Sequence, residues 1–212
     1  ELIGRLEALK TMLESGAIDD AELHRLSKKD FRAFTFDKHL YNPLVFKDKG
    51  ETALQIKPIE LNDGEKDFVE DLDGYLKRNA PKYEDTEIYL LRNQSKTGLG
   101  FFTEGNFYPD FIMWIKKDEK QYISFIDPKG LVNLNTKNDP KINLSVKIKE
   151  IEEKLNDEDV ILNSFIVSAT PYGVIKWVQD TLEQSELEDK NVLFQQDDKN
   201  GYVGKMFDRI LG

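Results

Sequence analysis

The sequence contains no cysteine and only two histidines, His24 and His39. The first absence excludes a disulfide framework and any thiolate zinc site. The second excludes a histidine-rich metal centre. A Ser-His-Asp hydrolase would have to draw on His24 or His39, and neither accompanies a nucleophile-elbow pattern. No apolar run is long enough to span a bilayer, and there is no secretory leader. The expected setting is therefore the cytoplasm, with no membrane partner. No initiator Met precedes Glu1, so a fragment of a larger protein is expected. Positive charge is also in short supply: 30 Lys and Arg stand against 40 Asp and Glu, a net charge of −10. That balance argues against a protein that coats nucleic acid through phosphate contacts. An enzyme whose acidic site loads a metal first remains compatible with it.

Against these absences stands one concentrated signal. Phe107-Tyr108-Pro109-Asp110-Phe111-Ile112-Met113-Trp114-Ile115 is an apolar run with an acid at its head. Gln121-Tyr122-Ile123-Ser124-Phe125-Ile126-Asp127-Pro128-Lys129-Gly130 is another, with an acid and a base at its tail. The polar stretch 116–120 between them predicts a β-hairpin. In an antiparallel pair the start of one strand lies beside the end of the other. Asp110 is thus expected next to Asp127 and Lys129. The last two are separated by one residue and share a face. Two neighbouring carboxylates repel unless a cation joins them. Mg²⁺ prefers oxygen ligands and commonly takes one or two carboxylates with water and substrate phosphate. A nearby Lys can stabilise charge that develops on a phosphoryl group or position the attacking water. The competing reading makes Asp110 and Asp127 strand-end caps and Lys129 a solvated turn residue.

Elsewhere, apolar spacing predicts helices over 2–14 and from Asp19 or Asp20 to about residue 28. A helical hairpin is the expected form, with His24 on its surface. Phe31, Phe34, Phe36, Leu40, Tyr41, Leu44, Val45 and Phe46 make an aromatic connector. Strands around 44–46 and 53–59 suggest a second hairpin. A strong helix opens at Asn62-Asp63-Gly64-Glu65 and runs to Arg78, with Phe68, Val69, Leu72, Tyr75 and Leu76 inward. Glu65 shares that inward face. Asn62-x-x-Glu65 also fits a capping box, so both a metal role and a capping role stay open for Glu65. A strand over 87–93 ends in Arg92-Asn93. Both are candidate DNA-backbone contacts or fold-holding residues. Lys96 in the following polar loop is a candidate phosphate contact, as are Lys137 and Lys141, though solvated lysines are the commoner case. Next come a helix over 147–155 with an ambiguous opening, a strand over 160–168 and a helix from Thr170-Pro171 through Ile175, Val178 and Leu182. Trp177 is read as a core or lid anchor. Residues 183–190 are read as a solvated charged face. A short strand over 192–194 and a terminal helix over 202–211 complete the chain.

This succession is α-β-β-β-α-β, and Pro109-Asp110 with Asp127-x-Lys129 resembles the PD-(D/E)xK nucleases. The likeness extends to the blocks 61–72, 89–93, Gly100-Phe101-Phe102, 107–112 and 125–130. Together they resemble the C-terminal endonuclease domain of type III restriction enzyme Res subunits and related DEAD/DEAH-box restriction helicases. The resemblance implies an α/β fold: a PD-(D/E)xK core with a mixed sheet flanked by helices, carrying an N-terminal helical and aromatic extension. The expected division is 1–55 for the extension and 56–212 for the nuclease domain. It implies Mg²⁺-dependent hydrolysis of double-stranded DNA, with Mn²⁺ able to substitute. Asp110, Asp127 and Glu65 would bind metal, with Glu65 direct or through water, and the Pro128 carbonyl would be a further ligand. Lys129 would orient water or stabilise the phosphate. Implied partners are an upstream ATP-dependent helicase or translocase and a modification methyltransferase. No Gly-x-x-x-x-Gly-Lys-Ser/Thr loop for such a motor occurs within the chain. The alternative is a catalytically inactive DNA-binding or docking module of such a complex.

Overall fold

The computed structural model describes residues 31–34, 39–41, 44–47, 60–93, 108–134, 142–177, 181–199 and 201–212. For 31–34, 39–41, 44–47, 133 and 134 only the main chain is considered. The helices expected over 2–28, the strand over 53–59, and Lys96, Lys137 and Lys141 lie outside the described residues. The chain divides into two compact units, 1–35 with 43–62 and 36–42 with 63–212. In the first, β1 (Phe31–Phe34) pairs antiparallel with β3 (Leu44–Lys47). Part of the aromatic connector is thus strand.

The second unit is mixed α/β. Its strands are β2 (His39–Tyr41), β4 (Thr86–Arg92), β5 (Phe111–Lys117), β6 (Lys120–Lys129), β8 (Val160–Ser168) and β10 (Val192–Phe194). They form one six-stranded sheet in the order β10-β8-β6-β5-β4-β2. Every neighbouring pair is parallel except β4 with β5 and β5 with β6. Only β5 therefore runs against the rest. Its beginning lies at the edge where β4, β6, β8 and β10 end, which is where ligands of open α/β sheets gather.

The β5–β6 hairpin is tight. Lys117 pairs with Lys120, which leaves Asp118-Glu119 as the loop. Asp118 takes a positive φ of 54° there, the backbone twist that two-residue hairpins favour and Asp tolerates. This turn sets the register that carries Phe111 to a place opposite Ile126.

Successive strand residues face opposite sides, and both sides of the sheet are covered. Helix α1 (Asp63–Arg78) and helix α4 (Tyr202–Leu211) lie on one face. The rings of Phe68 in α1 and Phe111 in β5 meet at 5.4 Å. Tyr75 of α1 meets Phe207 of α4 at 5.2 Å, and Tyr83, in a single 3₁₀ turn after α1, meets Phe207 at 5.1 Å. The Tyr75 and Tyr83 hydroxyls hydrogen-bond at 2.8 Å, which satisfies both in the interior. Helix α2 (Leu144–Leu155) covers the other face, where Ile148 packs with Ile112, Phe125 and Leu162. It ends at Asn156 in the left-handed region, with φ 49°.

The segment 170–190 differs from expectation. In place of a helix from Thr170-Pro171 there is one 3₁₀ turn, Tyr172–Val174, and then the short strand β9 (Lys176–Trp177). Strand β9 pairs in parallel with β7 (Asn133–Leu134). Pro171 is extended at ψ 147° and Ile175 at ψ 127°. The Lys176 amide donates to the Val132 carbonyl rather than to a helical partner. Ile175 and Leu182 enter the same core cluster, so their spacing resembles a helical stripe; Val178 lies outside the described residues. Trp177 is partly buried against that cluster. Residues 183–190, read as a solvated face, keep their charged side chains exposed or half-exposed on helix α3 (Gln184–Asp189), which is opened by a Glu183/Glu186 capping box and anchored by fully buried Leu187.

Phe207 is 1% exposed and touches both tyrosines. Phe207→Ala should therefore cost about 3–5 kcal/mol. Urea denaturation measures this, and a loss below about 1 kcal/mol would show that the cluster does not lock α1 to α4.

Candidate functional site

The reversed strand gathers the chemistry. Asp110 immediately precedes β5, and the register Phe111 opposite Ile126 places it across from Asp127 near the end of β6. Lys129 ends β6 two residues later. Arg92 ends β4, and Glu65 sits in the first turn of α1. The sheet-edge residues Asp110, Asp127 and Lys129 thus come together as the hairpin pattern requires.

Asp127 is 4% exposed. Its Oδ2 is sealed from solvent and has no hydrogen-bond partner. Lys129 Nζ stands 3.8 Å from that oxygen, beyond hydrogen-bond reach, while the Lys129 side chain remains 39% exposed. The Asp110 and Asp127 carboxyl groups are close enough to share a proton. Burial first, then Asp127, then the charge of Glu65 push the Asp110 carboxyl up to about 8, with Lys129 opposing them. The proton belongs to the pair rather than to one residue.

Glu65 is buried in the first turn of α1. Its Oε2 accepts from Arg92 Nη2 at 3.2 Å, and both side chains are under 10% exposed. Arg92 is therefore an interior ion-pair partner. Of the two roles open for Arg92, this enclosed pairing matches the fold-holding one. Asn93 also points inward: its Nδ2 donates to the Pro109 carbonyl at 2.8 Å, and its main-chain N–H donates to the Asp110 carbonyl at 2.8 Å. Pro128 is buried and pairs with Val167 in the parallel ladder. The Lys129 carbonyl accepts from the Ala169 amide, and the Ser168 hydroxyl and Thr170 brace each other just beyond.

Among the described residues, no group of three or more acidic or imidazole side chains is drawn together to hold a metal ion. Glu65 is ion-paired with Arg92, and its charge is still felt at Asp110. The paired carboxylates by themselves still fit a hard divalent cation. They present an orphaned buried oxygen and like charges in need of a counter-charge, and Mg²⁺ needs only one or two protein carboxylates. The Glu65–Arg92 pair was not foreseen. Its signal was available: a lone Arg closing an apolar strand needs a buried acid nearby. The clamp made by Asn93 had no comparable signal, since it depends on which way two peptide planes face.

No protein-family description, curated protein or solved structure matches the chain. No helix among the described residues is long and apolar enough to cross a membrane.

The Asp110 group makes stability depend on pH. Its pKa is raised from the ordinary 3.8 to about 8, so between these values the folded state keeps a proton that the unfolded chain has released. Stability contributed by this group falls as pH rises through that window, by at most ~1.4 kcal/mol per pH unit. Melting in a chelator should show Asp110→Asn gaining on the wild type steadily from pH 4 to pH 8. A constant difference across that range would contradict the close pairing of the two carboxyls.

Proposed function

We propose that the chain is a metal-dependent DNA endonuclease domain of PD-(D/E)xK type, the nuclease part of a restriction or defence helicase-nuclease. The observation that carries this reading is the edge constellation. Two neighbouring carboxylates, one with an orphaned buried oxygen, stand beside a half-exposed lysine at the mouth of the sheet. The observed α-β-β-β-α-β succession, with the acids at the head of one hairpin strand and the tail of the next, supports the same reading.

Asp110 and Asp127 are the residues that would hold Mg²⁺ or Mn²⁺, with the Pro128 carbonyl as a further oxygen. Such an ion, when bound, supplies positive charge to the scissile phosphate and to the water that attacks it. The remaining roles belong to the chain. Asp127 gives its orphaned Oδ2 to the site and is fixed by its place in the ladder. Asp110 would supply the second carboxylate, deprotonated whenever a cation is held. Lys129 has an exposed amine on a ladder-fixed backbone, so it can neutralise charge that develops on the phosphoryl oxygens. Glu65 adds negative potential from behind while Arg92 holds it. With a net charge of −10, a motor domain that holds double-stranded DNA would supply most of the grip.

Supercoiled plasmid incubated with the purified chain should be nicked or linearised with Mg²⁺ or Mn²⁺ and left intact in EDTA. Lys129→Ala should slow cutting by about a hundredfold or more, and Asp127→Asn should abolish it. Cutting in EDTA, or full activity in either variant, would overturn the assignment. Absence of cutting together with no Mg²⁺- or Mn²⁺-linked rise in melting temperature would identify a non-catalytic docking module.

A further inference from the structure

One residue holds the main chain on both sides of Asp110. The Pro109 carbonyl belongs to the peptide plane before the Asp110 Cα, and the Asp110 carbonyl belongs to the plane after it. Peptide units are rigid planes, so a residue's conformation is set by how its two flanking planes are turned. Asn93 fixes both. Its Nδ2 donates to the Pro109 carbonyl at 2.8 Å, and its own N–H donates to the Asp110 carbonyl at 2.8 Å.

The need for such a clamp follows from the sequence. Pro109 has no N–H, so the chain entering β5 cannot ladder through that residue. Pro109 is buried, and a buried carbonyl requires a donor. Asp110 itself lies one residue outside the β5 ladder, whose first pairs are Phe111 with Arg92 and with Ile126. Without the Asn93 side chain, the Pro109 carbonyl would lose the donor that sets the plane before Asp110.

We propose that Asn93 is a positioning residue: its side-chain amide and main-chain N–H together fix the two peptide planes flanking Asp110 and so aim that carboxylate at Asp127. The functional consequence rests on the nuclease reading, whereas the clamp is a matter of geometry alone. The same end of β4 thereby steadies two acids, Glu65 through Arg92 and Asp110 through Asn93.

Two measurements on the 212-residue chain test this. In the first, Mn²⁺ binding is followed by electron paramagnetic resonance for the wild type, Asn93→Ala, Asp110→Asn and the double variant. Asn93→Ala should weaken Mn²⁺ binding roughly tenfold to a hundredfold. The same change should cost nothing further in the Asp110→Asn background. Equal losses in both backgrounds, or no loss in either, would overturn the proposal. In the second, crystal structures of metal-free wild type and Asn93→Ala are compared. A turned Asp110 carboxyl that leaves Asp127 supports the clamp, and an unmoved Asp110 overturns it. If Asn93→Ala does not fold, Asn93→Ser replaces it, because its hydroxyl is too short to reach the Pro109 carbonyl. Should the wild type bind no Mn²⁺, the nuclease reading fails and the crystallographic comparison alone decides the role of Asn93.

Discussion

The register between β5 and β6 is the constraint on which the site depends. A two-residue turn at Asp118-Glu119 pins Lys117 to Lys120, and the ladder then carries Phe111 to Ile126. That placement sets Asp110 across from Asp127. A slip of one residue would turn Phe111 and Ile126 away from α1 and send Ile112 and Phe125 away from α2. The hydrophobic faces therefore enforce the arrangement of the acids. Phe111 against Phe68 on one side, and Ile112 and Phe125 against Ile148 on the other, fill both layers in this register.

The apolar sheet thus bears an electrostatic load that it does not itself resolve. Two carboxylates stand together at its mouth with a third acid behind them. Arg92 answers the charge on Glu65 from inside the fold. Lys129 answers Asp127 only in part, at 3.8 Å and from a half-exposed side chain. The remaining imbalance appears as an orphaned oxygen on Asp127 and a proton retained by the carboxyl pair to about pH 8. Groups whose environments push their protonation away from ordinary values gather at functional sites. Here the imbalance lies at the strand-end edge, where an open α/β sheet receives ligands.

Much of the fold was legible because it is local. The periodic stripe of α1, the apolar run of β8, the final β10 and α4, and the two hairpin strands each state their type within a dozen residues. Adjacency of Asp110 to Asp127 followed from hairpin logic alone. What was not legible depended on partners distant in sequence. The stretch from Thr170 has helical spacing, but over 171–177 Pro171, the Asp197 carboxylate on the Tyr172 amide and the Val132 carbonyl hold a 3₁₀ turn and a short strand instead. Glu65 has the position of a helix cap or a metal ligand, and only the fold brings the Arg92 guanidinium to it. Asn93 lies at a strand end before a polar loop, which left both a DNA-backbone contact and a fold-holding role open. Its amide serves Pro109, sixteen residues away, and that partner has no local signal.

The central claim is that Asp110 and Asp127 form one cation site. Anomalous diffraction from crystals of the chain soaked in Mn²⁺ tests it most directly. A single peak bonded to a carboxylate oxygen of each residue, with Lys129 beside it, is the predicted result. A wild-type crystal with no peak there, or with Mn²⁺ bound only at other surface acids, would contradict it.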